Sequence, residues 1–417
     1  MNADMRAVSA MLSVEAAQAE LLHRARTIQE VQVCQLNECD SRVLATSVES
    51  PIAVPAFDNS AMDGYALNLS PHDALPDVFP VVQRIAAGQA GMPLSPGSAA
   101  RIFTGAPIPL GANVVVPQEE AELLPEGIRV HSPRVGQHIR LRGEDIQVGQ
   151  TILSQGTRLQ PRHVGLAASV GVPSLTVYRQ LKVGMFFTGD ELVEPGGVLD
   201  CASVYNSNRY AIGSLLRSLG CAVTDYGVVR DDREATLDML QRASVENDLV
   251  ITSGGVSVGD EDHVKAAVMT LGQLDLWQVA IKPGKPFAFG KIGQADFIGL
   301  PGNPVAAFVT FFLLAQPFIK RTQGIVDCLP QRFEVLANFS WSAKGRKREF
   351  LRVREQVGPD LRLTVSLSSC NQGAAAMTSI GMADGLVDVE PGSQIVPGDR
   401  VIYYPMGCSV RGWNHEA

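Results

Sequence analysis

The chain has 417 residues, of which 46% are hydrophobic and 19% charged, and its 35 basic and 43 acidic residues give a formal net charge of −8. This composition is typical of globular proteins, and at roughly 100–200 residues per domain the chain should contain about two to four domains. The negative charge argues against non-specific binding to nucleic acid, and because no run of about 18 apolar residues occurs, no membrane-spanning helix is predicted.

The first predicted element is a helix over residues 13–30, with Ser13 as its N-cap and Glu15 in its first turn. The residues around it lack the basic start, apolar core and cleavage site of a signal peptide. Seven cysteines are scattered along the chain without a Cys-x-x-Cys pair. We therefore expect a cytoplasmic protein with reduced thiols.

Short β-rich runs separated by glycine and proline turns extend from about residue 50 to 178, which predicts one or two irregular β domains. The segment FDNSAMDGYA, residues 57–66, lies in this region. Its Asp63-Gly64 pair between apolar runs predicts a hairpin turn.

Apolar runs alternate with helical segments from 179 to 327, which predicts a doubly wound, mostly parallel α/β sheet. The apolar run at 305–319 is predicted to be a buried helix. From 328 onward short strands return without helical periodicity, which predicts a small C-terminal β domain.

Four segments of small or charged residues each follow a predicted strand of the α/β region. They are FFTGDEL (186–192), TSGGVSVGDEDHVK (252–265), IKPGKP (281–286) and LPGNP (300–304). Ligands of open parallel sheets bind outside the carboxyl ends of the strands. We therefore expect all four segments to meet at one edge of one sheet.

The residue types in these segments suit an anion held together with a hard cation. Glycines turn backbone amides toward a ligand, a serine offers a hydroxyl, two lysines attract an oxyanion, and Asn303 between two prolines opens a helix. Three carboxylates at the same rim would repel an anion unless a cation such as Mg²⁺ bridged them. The residues concerned are Gly254, Gly255, Ser257, Gly259, Lys282, Lys285, Pro301, Asn303, Pro304, Glu191, Asp231 and Asp262.

Each of these motifs also has a purely structural explanation. The SGGVSVG run can be an ordinary strand–helix turn, and the two lysines can be solvated surface charges. Glu191 and Asp231 can favour the start of a helix. The sequence contains no zinc pattern, nucleophile elbow, Walker A motif or Gly-x-Gly-x-x-Gly fingerprint, which removes the commonest hydrolase, ATPase and dehydrogenase classes.

Seven motifs in fixed order, spread from about residue 10 to 410, resemble the molybdopterin molybdenumtransferases, the MoeA and gephyrin E-domain family. They are FDNSAMDGYA, RIFTGAPIP, IRLRGEDI, FFTGDEL, SGGVSVGDED, IKPGKPFAFG and LPGNPVAAF. The resemblance implies a transferase that inserts molybdenum from molybdate into adenylylated molybdopterin and releases AMP, with Mg²⁺. It also implies a cytoplasmic homodimer whose site is shared between the chains.

The resemblance further implies four subdomains. These are an elongated subdomain I (10–48 plus 145–178), an inserted β subdomain II (49–144), an α/β molybdopterin-binding subdomain III (179–327) and a small C-terminal β barrel IV (328–413).

Carried over by motif, the resemblance assigns catalytic roles to Asp63, Thr104, Glu191, Asp231, Asp262 and Lys282. Ligand contacts fall to Gly254, Gly255, Ser257, Gly259, Lys285, Pro301, Asn303 and Pro304, and metal ligation falls to Glu191, Asp231 and Asp262. Asp63 and Thr104 would complete the site of the other chain.

The chain departs from the family pattern at two positions, with Gln278 in place of a lysine and Ala374 in place of a serine. Two other functions remain open: a non-catalytic scaffold of the same fold, and the molybdopterin adenylyltransferase that precedes this step. The adenylyltransferase is also an expected partner, whereas nucleic acid and membrane are not.

Overall fold

A computed structural model describes residues 11–70, 76–230, 232–255, 263–358 and 361–407. The helices are α1 (Val14–Arg24), α2 (Pro161–Ser169), α3 (Ser207–Ser218), α4 (Arg233–Glu246), α5 (His263–Leu271), α6 (Pro304–Thr310), α7 (Gln316–Thr322) and α8 (Met377–Gly381). A π-helical turn, Phe311–Ala315, joins α6 to α7, and 3₁₀ turns occupy Leu36–Glu38 and Gln118–Glu120.

The strands are β1 (Val31–Gln35), β2 (Val48–Glu49), β3 (Asn59–Ser60), β4 (Gly64–Leu67), β5 (Val81–Ile85), β6 (Ala99–Ile102), β7 (Val114–Pro117), β8 (Ala121–Leu124), β9 (Gly127–Val130), β10 (Ile139–Arg140), β11 (Thr151–Leu153), β12 (Ser174–Tyr178), β13 (Lys182–Thr188) and β14 (Leu192–Val193). They continue with β15 (Val204–Tyr205), β16 (Ala222–Val229), β17 (Leu249–Ser253), β18 (Gly272–Gln278), β19 (Ile281–Lys282), β20 (Pro286–Ile292), β21 (Ala295–Leu300), β22 (Phe333–Ala337), β23 (Trp341–Ser342), β24 (Arg348–Val357), β25 (Leu363–Leu367), β26 (Gly385–Val389), β27 (Gln394–Ile395) and β28 (Arg400–Pro405).

The N-terminal helix α1 begins where the sequence predicts, because the Ser13 side chain accepts a hydrogen bond from the amide of Ala16 at 3.1 Å. Its end at residue 30 is wrong, since the helix stops at Arg24. The backbone of Ala25 is extended, and the amide of Ile28 donates to the carbonyl of Thr322 on α7. Tertiary hydrogen bonding therefore overrides the helical pattern over the last six residues of the predicted range.

Segments that are distant in the chain pair in the first half of the molecule. β1 is antiparallel to β12, and β2 is antiparallel to β11. Cys34, Leu153, Leu175 and Val177 from these strands share one buried cluster.

The hairpin predicted for residues 57–66 does not form. β3 pairs with β10, and β4 is an inner strand of the sheet β5-β6-β4-β7. Gly64 is needed for a close approach rather than a turn, because a Cβ there would lie 2.0 Å from the carbonyl oxygen of Val116 on β7.

The central sheet has the strand order β16-β13-β17-β21-β20-β18. β16, β13, β17 and β21 are parallel neighbours, β18 runs in the same direction, and β20 runs against both of its neighbours. Alternate residues of β13 enter different cores, with Met185 and Phe187 on one face and Phe186 on the other. The predicted doubly wound, mostly parallel sheet is confirmed.

A closed barrel follows the central sheet. β24, β25, β22, β28 and β26 are paired in that order, and β26 pairs back onto β24. Val353, Val365, Val387 and Tyr403 lie in its core. The short strand β19, which comes from the α/β region, joins the barrel by parallel pairing with β24.

The helical stretch Pro304–Thr322 is long and apolar enough to cross a membrane, but 78% of it is buried inside the structure. Phe311, Leu313 and Leu314 are fully buried in the core beneath the central sheet. The buried helix predicted over 305–319 is thus observed.

Candidate functional site

A cavity of about 870 Å³ opens at the carboxyl edge of the central sheet, where the predicted segments meet. Its wall includes Thr188, Glu191, Ser253, Gly254, Gly255, residues 281–286 and residues 301–304. Further wall residues are Asn206, Ser207 and Asn208 from the start of α3, and Lys347, Ala374, Ala375 and Met377 from the C-terminal β region. The four segments therefore share one site, as the strand order requires.

Gly254 and Gly255 form the glycine turn after β17, with φ values of +95° and +63°. A Cβ at Gly255 would lie 2.6 Å from Cγ2 of Val264 and 3.0 Å from Oγ1 of Thr188, so no larger residue fits. The amide of Gly254 donates to the carbonyl of Leu300 at 3.2 Å. The expectation that this amide faces a ligand is therefore wrong, since it joins the two strand-end turns.

Asn208 and Ser253 fix the relative positions of three cavity loops. The Asn208 amide nitrogen donates to Ser253 Oγ and to the carbonyl of Gly302, both at 2.7 Å. Ser253 Oγ donates to the carbonyl of Pro301 at 2.8 Å. Hydrogen bonds thus hold the loops of the cavity wall together before any ligand enters.

Three lysines line the cavity within the described residues: Lys282, Lys285 and Lys347. The pKa of Lys347 is lowered by its burial and then by the positive charges of Lys285 and Lys282. Three positive side chains in one wall suit a negative ligand. Gln278, the departure from the family lysine, is not among the described residues of the wall.

Lys282 is already paired with a carboxylate. Its Nζ lies 3.0 Å from Oε1 of Glu349, whose side chain is only 4% exposed. The other oxygen of Glu349 accepts from Nε1 of Trp341 at 3.0 Å.

The start of α6 is capped by the barrel. The carbonyl of Ala374 accepts from the amides of Val305 and Ala306, at 2.9 and 3.3 Å. Asn303 lines the cavity and makes no side-chain capping bond, but these first helical amides do not face a ligand. The helix that Asn303 opens therefore offers neither of these two amides to a ligand.

Among the predicted acids, Glu191 is exposed and lies in the wall of the cavity. Asp231, Asp262, Ser257 and Gly259 lie outside the described residues. Within the described ranges no group of three or more His, Cys, Asp or Glu side chains could hold a metal ion.

Asp63 and Thr104 are joined to each other rather than to the cavity of their own chain. The amide and hydroxyl of Thr104 both donate to Asp63 Oδ1 at 2.8 Å. These two bonds, backbone first, lower the pKa of the Asp63 carboxyl. Neither residue is part of the described cavity wall, although both lie at the surface of the molecule.

Sequence reasoning missed Asn208, Lys347 and Glu349, and it named Ala374 only as a departure from the family pattern. The NSN run at the start of α3 and the basic run KGRKREF were available as signals. The approach of Lys347 and Glu349 to the cavity depends on the β19–β24 pairing, which no local pattern encodes.

Two family models match the chain. The one described as the MoeA N-terminal region (domain I and II) covers residues 12–171, and the one described as a probable molybdopterin binding domain covers residues 184–321. The molybdopterin molybdenumtransferase of Haemophilus influenzae is 42% identical over 359 residues, which are 83% of this chain and 87% of that protein. Molybdopterin molybdenumtransferase 2 of Mycobacterium tuberculosis is 35% identical over 355 residues, covering 82% and 87%. The structure of a molybdopterin biosynthesis MoeA protein from Pyrococcus horikoshii aligns with a TM-score of 0.76 at 28% identity, covering 95% of this chain and 99% of that one.

Proposed function

Because the chain belongs to the MoeA family of molybdopterin molybdenumtransferases, we propose that it is the transferase that inserts molybdenum from molybdate into adenylylated molybdopterin and releases AMP. It is thus an enzyme of molybdenum cofactor biosynthesis. The observation that carries the proposal is the cavity itself, where three lysines and a glycine turn meet at the carboxyl edge of the sheet.

The charges of the cavity support two anionic substrates. Lys282, Lys285 and Lys347 approach closely enough for their charges to affect one another. Placed around an oxyanion, they neutralise and orient it, and this kind of catalysis consists of positioning and electrostatic stabilisation. The glycine turn and the hydrogen bonds of Asn208 supply a rigid wall, so little reorganisation is needed when the substrates bind.

We assign Mg²⁺ to the acidic side of the same site. Glu191 supplies a carboxylate in the described wall, and carboxylate oxygen is the ligand type that Mg²⁺ prefers. Asp231 and Asp262 would complete the set. Bound there, the ion would offset the charge of the phosphate groups beside these carboxylates.

We also propose a homodimer in which Asp63 and Thr104 of one chain complete the cavity of the other. The support is their position, since the pair is exposed and lies away from the cavity wall of its own chain. A cytoplasmic location and an association with the molybdopterin adenylyltransferase stay predictions.

The test is AMP release from adenylylated molybdopterin by the purified protein with Mg²⁺, with and without micromolar molybdate. We expect molybdate-dependent AMP release together with active cofactor. D262N should lose at least about 100-fold in turnover, as expected when a group stabilising the reacting charges is removed. D238N, which changes an exposed carboxylate on α4, is the matched control and should retain full activity.

The same assay separates the alternatives. A scaffold would bind the substrates without releasing AMP, and an adenylyltransferase would form the adenylylated pterin from ATP without needing molybdate. AMP release that is independent of molybdate would overturn the proposed reaction, and normal turnover by D262N would overturn the metal assignment.

A further inference from the structure

Glu349 is a buried carboxylate that belongs to the barrel but contacts the cavity. The residue is 3% exposed and lies on β24. Its two oxygens accept from Nζ of Lys282 and from Nε1 of Trp341, each at 3.0 Å. Each oxygen of the carboxylate therefore has its own donor.

The backbone sets this pair. β19 and β24 run parallel, and Lys282 is the direct partner of Glu349 in their register. Lys282 has an exposed side chain (59%), whereas that of Glu349 is almost fully enclosed (4%). The tip of an exposed lysine is thus held by an enclosed carboxylate.

The surrounding charges explain why a carboxylate is placed there. Lys285 and Lys282 lie close enough to Lys347 to lower its pKa, and Lys344 and Arg346 line a neighbouring recess that also includes Lys282 and Glu349. Burial lowers the pKa of the fully buried Arg352 to about 10, and the charge of Glu349 acts in the opposite direction. Glu349 is therefore the buried negative charge of a strongly positive region.

We propose that Glu349 is a positioning residue and internal counter-anion for Lys282: it holds the ammonium group at the cavity wall and competes with an entering oxyanion for it. The inference rests on the proposed function in taking Lys282 as an anion ligand. While the cavity holds no anion, Glu349 neutralises Lys282. When a tetrahedral dianion enters, Lys282 interacts with both Glu349 and the dianion. The competition with Glu349 therefore weakens the attraction between Lys282 and the dianion.

The test is a double-mutant cycle read by binding rather than by turnover. Molybdate and sulfate are titrated calorimetrically into the wild-type protein, E349Q, K282M and the double variant at low ionic strength, where charge effects are least screened. Glutamine has the same shape as Glu349 and can still accept from Trp341. We expect E349Q to bind both anions about 2- to 5-fold more tightly, the range expected for a pair whose lysine is exposed, and the same change to have no effect in the K282M background.

The matched control is E355Q, which changes another buried glutamate of β24. Glu355 is 6% exposed, and its Oε1 accepts from the hydroxyl of Tyr403 at 2.7 Å, away from Lys282. E355Q should leave anion binding unchanged, so that a general loosening of the barrel is distinguished from the specific pair. Thermal melts establish that each variant is folded.

A turnover measurement then distinguishes a positioning role of Glu349 from a merely structural one. E349Q should lower the KM for molybdate, because the competitor is gone, and also lower kcat, because the ammonium group is no longer held; a merely structural defect would raise KM. Weaker anion binding by E349Q, or the same tightening in the K282M background, would contradict the inference. Because sulfate is not a substrate, its titration decides the role of Glu349 even if molybdate insertion is refuted, and a wild-type protein that binds neither anion would overturn it.

Discussion

Gly255 shows how one residue shapes the cavity. Two constraints act on it: its φ of +63° is in the left-handed region, and the space above its Cα is filled by Val264 and Thr188. The first penalises any side chain by about 1–2 kcal/mol, and the second adds a steric cost because a Cβ would clash with Val264 on α5. Backbone conformation and packing thus require glycine independently.

Gly293 allows the two costs to be separated. It has a φ of +58° in the turn between β20 and β21, and a Cβ there would meet nothing within 4 Å. We expect G293A to lower the free energy of unfolding by about 1 kcal/mol and to leave molybdate binding unchanged. G255A should cost about 2–4 kcal/mol and weaken molybdate binding, since the clash displaces the cavity wall.

Urea unfolding and calorimetric titration of the two variants provide the measurement. Equal stability losses would mean that Val264 and Thr188 yield without cost and that the close packing around Gly255 has no role in the site.

Single residues of the site could be predicted only where a local motif marks them. The glycine turn and the IKPGKP lysines stand out in the sequence, and the structure brings them together. Glu349 carries no such mark, and Ala374 is marked only as a departure from the family pattern. Their contributions, a carboxylate beside Lys282 and a carbonyl at the start of α6, depend on long-range pairing of backbone segments.

At the scale of elements, an ion pair between Arg179 and Asp248 joins the segment before β13 to the segment before β17. Arg179 donates to both oxygens of Asp248 at 2.6 and 2.8 Å, and the amide of Lys182 donates to Oδ2 at 2.9 Å. Glu30 is a second partner of Arg179. Burial acts to raise the pKa of Asp248, but the bonds from Arg179 and Lys182 outweigh it, and the pKa lies below its ordinary value.

The sign of this shift predicts how stability depends on pH. A carboxyl whose pKa is lowered by folding stabilises the folded state above its unfolded pKa, and this stabilisation is lost as the pH falls through the folded pKa. D248N should therefore lower the free energy of unfolding by about 2 kcal/mol at pH 7 and pH 5. The difference from wild type should shrink as the pH falls below about 4.

Urea unfolding of both proteins at pH 7, 5 and 3 measures this difference, and D238N serves as an exposed-carboxylate control. A difference that stays constant down to pH 3 would show that Asp248 acts through packing rather than through its charge.

Elements were predictable where periodicity decided them and not where tertiary pairing did. The alternation of strands and helices predicted from 179 to 327 is also present in the structure. The end of α1 and the role of Gly64 depend instead on partners elsewhere, Thr322 for the chain after α1 and Val116 for Gly64. The reversed direction of β20 follows from its tight connection to β21, where only Gly293 and Gln294 separate the two strands.

At the scale of the whole molecule, the proposed exchange of Asp63 between chains can be tested by mixing inactive chains. D63N and K282M should each be inactive as homodimers. Heterodimers carrying one of each contain one cavity with both Lys282 and the partner's Asp63, so about half of the wild-type activity should return.

Two differently tagged chains, co-expressed and purified through both tags, give the heterodimer. The control is the same preparation from two D63N chains. If the mixed heterodimer stays inactive, Asp63 and Lys282 act in the same chain and the shared site is wrong.

The pairing of β19 with β24 also has a consequence for the order in which the site is made. Lys347, Glu349 and Ala374 leave the ribosome well after the α/β region has been synthesised, and domains fold largely in the order of their synthesis. The strand-end turns can therefore form early, but their neutralising carboxylate and the cap on α6 arrive later. A nascent chain would carry an unfinished, positively charged pocket until the barrel closes, so that a region translated after the α/β sheet makes the enzyme competent.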